Sequence, residues 1–330
     1  MERGDDVDAL RRHPEVSALT LLSLVLTLLP TMAPMGGLIL SVLAPFPIVV
    51  LGLKLPWRYV LWLVGIEAAL LLLLEGASAL LILSYYCALP LVMAWFVRAS
   101  RPMAQTLVWS VGVASGLSLL LLGVYSMMAE QAPLASLVRY IEELSQLARE
   151  QAQTASPRPI GGDESPIMSP ELLTQTILTL LPAMFAINYL LSTVVNYVVV
   201  RWYCSWGSTP IAIDPEDLAI WRASDYLVWI FLGSGAMVLL PGQSLSRIGL
   251  NVFLITLAIY FLQGLAIVLF WGRRLSMPSG AKWFFATLIF LFASPLCLTL
   301  CTAAGLFDQW VDFRRLRPRP PEAEASDRET

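Results

Sequence analysis

Charge, lysine and histidine are what this 330-residue chain has least of. Charged residues make up 14% of it, against about 25% in ordinary soluble domains. Lysine occurs only at positions 54 and 282. With a net charge of -3, and arginines scattered at the ends of apolar runs, no basic patch exists, which argues against nucleic-acid recognition. The single histidine, His13, lies in a polar N-terminal stretch, so no histidine-based metal or catalytic cluster is available. The four cysteines, Cys87, Cys204, Cys297 and Cys301, all fall inside or at the ends of apolar runs. Cys297 and Cys301 share a helical face, a spacing open to a metal or redox pair or, more plainly, to small residues in helix packing. P-loop, dinucleotide and Gly-x-Ser-x-Gly signatures are missing too. The expectation is a protein that is not an enzyme and holds no cofactor and no metal.

Apolar sequence fills the space instead. Hydrophobic residues make up 57% of the chain and its mean hydropathy is +0.71. A helix crosses a hydrocarbon core of about 30 Å in about 20 residues, and runs of that kind recur along the chain. The fold class expected is all-α, a polytopic transmembrane bundle of eight to nine spans with one amphipathic extramembrane helix. Residues 1–15 form a polar tail and 16–128 a first membrane helix group of about five spans. Residues 129–168 hold the extramembrane amphipathic helix and a linker, and 169–307 a second group of about four spans. Residues 308–330 form a polar tail expected to be disordered.

The stretch 169–206 stands at the centre of this organisation. Ser169 suits an N-cap, Pro170 a first helical position and Glu171 the positive helix end. Pro182 is expected to kink the helix. Asn188, Ser192 and Asn196 recur at i, i+4 and i+8, which puts three polar groups on one face. Before it come runs at 16–29, read as a retained first span, and at 35–53, which Pro45-Phe46-Pro47 should break or bend. Runs at 57–74, 77–97 and 104–128 follow, the last with Gly112 and Gly116 in a small-xxx-small pattern. In 134–147, leucines at helical spacing oppose charged residues, as a helix lying on a membrane surface requires. After 206 come runs at 221–240, 248–271 and 283–307, with a kink expected at Pro295.

Basic residues set the orientation. Lys54/Arg58, Arg98/Arg101, Arg201/Arg222 and Arg273/Arg274/Lys282 fall on one side of a nine-span arrangement, and the alternate short loops hold only Arg247. That places the first set, and the N-terminus with it, in the cytoplasm. Five arginines in the tail from 308 onward oppose a nine-span count, which leaves that tail outside.

Glu67, near the middle of the third run, is the sharpest candidate for function. A carboxyl in a membrane is costly unless paired, solvated or protonated, and such residues mark pathways as well as hydrogen-bonded structural sites. Thr256, Tyr260 and Gln263 form a second stripe, at i, i+4 and i+7. Facing Asn188, Ser192 and Asn196, it would line a pocket for a polar-headed solute; interhelical packing is the alternative. Arg222 and Asp225 suit an interfacial salt bridge.

Three C-terminal stretches carry a resemblance: 221–229 (WRASDYLVW), 249–268 with Gln263-Gly264, and 305–315 (GLFDQWVDFRR). With Pro45-Phe46-Pro47 they resemble the YybS-like family of uncharacterised bacterial multi-pass membrane proteins. That family is similar in turn to the substrate-binding S-components of energy-coupling-factor vitamin transporters. The resemblance implies a solute-binding subunit in the bacterial cytoplasmic (inner) membrane, docked to an ATPase and coupling module. The span count is higher than in S-components. Where their first helix carries docking alanines, this chain offers Ala18, Ser17, Ser23 and Thr27. From a different class, a non-catalytic scaffold or assembly factor would use the Gly112/Gly116 face and the amphipathic helix to bind another membrane protein. In either case the lipid bilayer is the common partner.

Overall fold

The computed structural model of the protein describes residues 14–32, 40–128, 170–206, 218–274 and 294–316. Every regular element among them is helical. In chain order these are α1 (Pro14–Met32), α2 (Pro45–Lys54), α3 (Trp57–Glu75), α4 (Leu89–Arg98), α5 (Met103–Met128), α6 (Pro170–Trp206), α7 (Leu227–Leu239), α8 (Gln243–Arg274) and α9 (Ser294–Val311). Between α3 and α4 run a 3-10 turn (Gly76–Ala79), one α turn (Leu80–Leu83) and a π turn (Ser84–Ala88). The amphipathic segment 134–147, the linker after it, His13, most of the C-terminal tail and residues 283–293 of the last expected span lie outside the described residues.

Fewer helices are long and apolar enough to cross a membrane than the eight to nine expected. Among the described residues four runs qualify: Trp57–Arg98, Met103–Tyr125, Gln175–Ser205 and Gln243–Arg274. Four others are apolar but shorter, Pro14–Pro30, Pro45–Lys54, Leu227–Leu239 and Leu296–Val311. At 10–17 residues they reach only about 15–26 Å, against a core of about 30 Å. Proline and glycine set several of those limits. Pro45 opens α2 and Pro30 falls in the last turn of α1, while α7 stops just before Pro241 and Gly242, the latter at φ 138.

The run Trp57–Arg98 is not one rod. A straight helix of its 42 residues would hold the ends about 63 Å apart. Yet the rings of Trp57 and Trp95 lie 5.9 Å apart, and the Arg98 guanidinium sits 5.8 Å from the Trp57 ring centre. The chain reverses at Gly76, whose φ of 60 carries no steric cost in the absence of a Cβ. α3 and the return arm 76–98 are therefore antiparallel.

The described chain divides into two compact units, one of Met1–Arg101 with Gln105–Ile213, the other of Pro102–Ala104 with Asp214–Thr330. In the first, α2 is wrapped on nearly all sides: Ile48, Val49, Val50 and Leu51 are buried, and Gly52 lets Ala94 of α4 approach closely. Lys54 Nζ lies 2.7 Å from Glu15 and donates to Tyr203 Oη at 3.2 Å. Arg98 donates to the carbonyls of Gly52 and Leu55, each at 3.0 Å. The starts of α1 and α3 and the ends of α2, α4 and α6 thus gather at one end with Lys54 and Arg98. These are among the basic residues from which the sequence predicts a cytoplasmic side.

In the second unit α8 packs against α7 and α9. Phe231 stacks on Phe253 at 5.0 Å and meets the Tyr260 ring edge-on. A Cβ on Gly264 would overlap the Cys301 carbonyl, and one on Gly305 the Tyr260 carbonyl, so two glycines bring the α8 and α9 backbones into direct contact. Gly112 and Gly116 of α5, the small-residue pair prominent in the sequence, meet nothing within 4 Å among the described residues.

Candidate intramembrane binding site

Glu67 lies on α3 and is fully buried. Ser23 Oγ of α1 donates to its Oε1 at 2.6 Å, a length typical of a hydroxyl bound to a carboxylate. Oε2 has no hydrogen-bond partner. Thr27, one turn beyond Ser23 on the same face of α1, is the second hydroxyl acting on the carboxyl, but its Oγ1 also makes no hydrogen bond of sound geometry. Among the described residues no lysine or arginine acts on Glu67. Ser23 and Thr27 thus point into the unit, so they do not form an outward docking face. Nothing in the spacing of α1 announced this pairing, since its partner lies 44 positions away.

A polar chain runs through the same unit. The π turn Ser84–Ala88 is followed by Pro90, which has no N–H to donate, and Leu89 N–H reaches back to the Ser84 carbonyl. The wider turn carries Ser84, Tyr85 and Tyr86 to buried positions. Ser84 Oγ, Ser118 Oγ of α5 and Tyr189 Oη of α6 bond one another, Ser84 and Tyr189 at 2.7 Å. Tyr85 Oη contacts Ser192 Oγ at 2.8 Å and donates to the Ser41 carbonyl at 3.1 Å. Asn196 Nδ2 donates to the carbonyls of Val42 and Ser192, both at 2.7 Å, and its buried Oδ1 is without a partner. The Val42 carbonyl is exposed to side chains because Pro45 begins a new helix just beyond it. Of the α6 stripe, Ser192 and Asn196 enter this network; Asn188 is exposed.

The α8 stripe belongs to the other unit and splits likewise. Thr256 bonds its own helix through the Phe253 carbonyl at 2.8 Å, and the buried Tyr260 hydroxyl finds no partner. Gln263 is the one that matters there. Its Nε2 donates to Asp308 Oδ2 at 3.0 Å, and its Oε1 accepts from Ala223 N–H at 3.3 Å and Gln309 Nε2 at 3.4 Å. Asp308 also pairs with Arg314 at 2.8 Å, both side chains being buried, and accepts from Phe313 N–H at 2.9 Å. Arg314 donates to the carbonyls of Ala219 and Trp221, each at 2.9 Å. These close off a non-helical stretch that would otherwise leave polar backbone buried and unpaired. Arg222 pairs with Asp225 at 2.9 Å, the salt bridge its spacing implied. Within each stripe only some residues find partners far off in sequence: Ser192 and Asn196 in the first unit, and Gln263 in the second.

Sequence reading singled out Gln263 and Glu67 but passed over Asp308, Gln309 and Arg314 as site residues. A signal did exist. Those three, with Trp221-Arg222-Ala223 and Gln263-Gly264, all lie in the stretches that carried the family resemblance, and the fold gathers them into one cluster. Because its carboxylate and guanidinium are paired and hydrogen-bonded, that cluster acts as a clamp. Glu67, half-satisfied, has capacity left for a ligand.

A family model described as predicted membrane protein (DUF2232) matches residues 21–309. The chain belongs to this family. The matched stretch holds Ser23, Thr27, Glu67 and the whole polar chain of the first unit, and ends at Gln309, five residues before Arg314. No curated protein and no solved structure matches the chain.

Proposed function

We propose that this membrane protein is a solute-binding, transporter-like subunit of the bacterial inner membrane, non-catalytic in itself and similar in role to an S-component. The observation that supports it most is Glu67, a buried carboxyl between two apolar helices with one oxygen unpartnered and, among the described residues, no cation beside it. A carboxyl in an apolar helix is costly to keep, and such residues often mark a ligand or ion path. The Ser84, Tyr85, Tyr189, Ser192 and Asn196 network of the same unit supplies hydroxyl and amide groups suited to a polar head. The basic residues gathered at one end of the first unit support a cytoplasmic N-terminus. Affinity capture of the tagged chain from gently solubilised native membrane tests the role. A pair of ATPase subunits with a coupling membrane subunit at stoichiometric level is the expected outcome.

One observation favours a second reading, a scaffold for another membrane protein. Gly112 and Gly116 present an open small-residue face beside exposed Val108, Trp109 and Leu120 on α5. Capture of a single membrane protein without ATPase, lost on Gly116→Leu, would move the assignment to that role.

A further inference from the structure

We infer that Glu67, Ser23 and Thr27 form an exchange site for one monovalent cation, a proton or Na+, which alternately occupies and leaves the carboxyl. The inference rests on the transporter-like reading above and names the coupling ion of that same unit. Three observations carry it. Glu67 and Thr27 are at most 1% exposed, and Oε2 and Oγ1 both lack hydrogen bonds. Ser23, also fully buried, anchors the opposite carboxyl oxygen at 2.6 Å. All the donors are hard oxygens on two adjacent helices, the donor type that suits a proton or an alkali ion. Among the described residues no cluster of three acidic, cysteine or histidine side chains offers a divalent metal site.

The surroundings leave the carboxyl's charge to that ion. α1 contributes the two hydroxyls. α2 contributes only Lys54, which is engaged by Glu15 and Tyr203 at its own end. The return arm contributes Cys87, whose thiol lies within electrostatic reach of Glu67, and Tyr85 and Tyr86, whose hydroxyls lie by Ser41. Among the described residues no fixed cation competes, so one mobile positive charge balances the site. Loading and release change the membrane-embedded charge by one unit, which gives the ion a differential hold on two conformations of α1 and α3.

Dicyclohexylcarbodiimide tests this on the purified full-length chain in lipid nanodiscs. The reagent is apolar and adds to a protonated carboxyl, O–H across C=N, then rearranges to a stable acylurea with no atom lost. Mass spectrometry locates the adduct, with Glu67→Gln as the blank. Labelling of Glu67 should fall about tenfold per pH unit on the alkaline limb, as one titrating proton requires. Thr27→Ala and Ser23→Ala should each move the half-labelling pH without altering the elution volume or melting temperature beyond a few degrees. Protection by Na+ but not by K+ at fixed pH identifies Na+ as the occupant; equal labelling in both salts identifies the proton. A Glu67 that stays unlabelled from mildly acid to mildly alkaline solution overturns the inference, because an exchange site must open. So does a pH profile that neither hydroxyl variant moves. The readout needs no solute or partner, so it fails independently of the capture experiment.

Discussion

Asp308 shows how much one buried side chain can hold. It receives Gln263, Arg314 and the Phe313 backbone, while Arg314 in turn ties down the carbonyls of Ala219 and Trp221. Removing one partner of such a pair leaves the other charge buried and uncompensated. Asp308→Ala should therefore cost about 3–5 kcal/mol, read as a loss of thermal stability of the purified protein in detergent. Asp308→Leu combined with Arg314→Met should cost less than the two single changes summed, since neither charge is then stranded. Strict additivity would show that the pair does not act as a unit. The residue types were readable in advance, and so was the oddity of acid and base at the end of an apolar run. What no local pattern contains is that Gln263, 45 positions upstream, supplies the amide that completes the carboxylate's shell.

At the scale of elements, close helix contact lies at Gly264 and Gly305 and, among the described residues, not at Gly112 and Gly116. A glycine in an apolar helix has the same local meaning at 112, 116, 264 or 305, because only the facing helix decides whether a Cβ would collide. Gly264 and Gly305 meet backbone carbonyls of the partner helix; among the described residues Gly112 and Gly116 meet nothing within 4 Å. Gly264→Ala should destabilise by about 1–3 kcal/mol through overpacking, whereas Gly112→Ala should stay within about 0.5 kcal/mol. Thermal melts of the two variants in one detergent check both. Proline reads more reliably, since its missing N–H acts within its own chain: Pro45 does begin a helix, and Pro90 follows the π turn. Pro182 lies inside α6, which runs unbroken from Pro170 to Trp206. Pro295 falls in the first turn of the described part of α9.

At the scale of the whole molecule, the hairpin of α3 and the return arm gives a topology that can be probed directly. With the four native cysteines replaced, Ser100→Cys should react with an impermeant maleimide only from the cytoplasmic side, and Glu75→Cys only from the outer side. Both positions are exposed, at opposite ends of antiparallel arms. Reaction of both from one side would refute the crossing hairpin, and exchange of the two sides would refute the orientation. The sequence by itself determined the membrane class, the helical content and the basic end of the first unit, because hydropathy and charge act on every residue wherever it ends up. It also marked Glu67, since a carboxyl in an apolar run is anomalous in any fold. Only the tertiary structure decided that α3 and the return arm form a hairpin, which glycines touch, and that two hydroxyls of α1 face that carboxyl. Those outcomes depend on pairs of atoms brought together across tens of residues, and no periodicity within one helix encodes its neighbour.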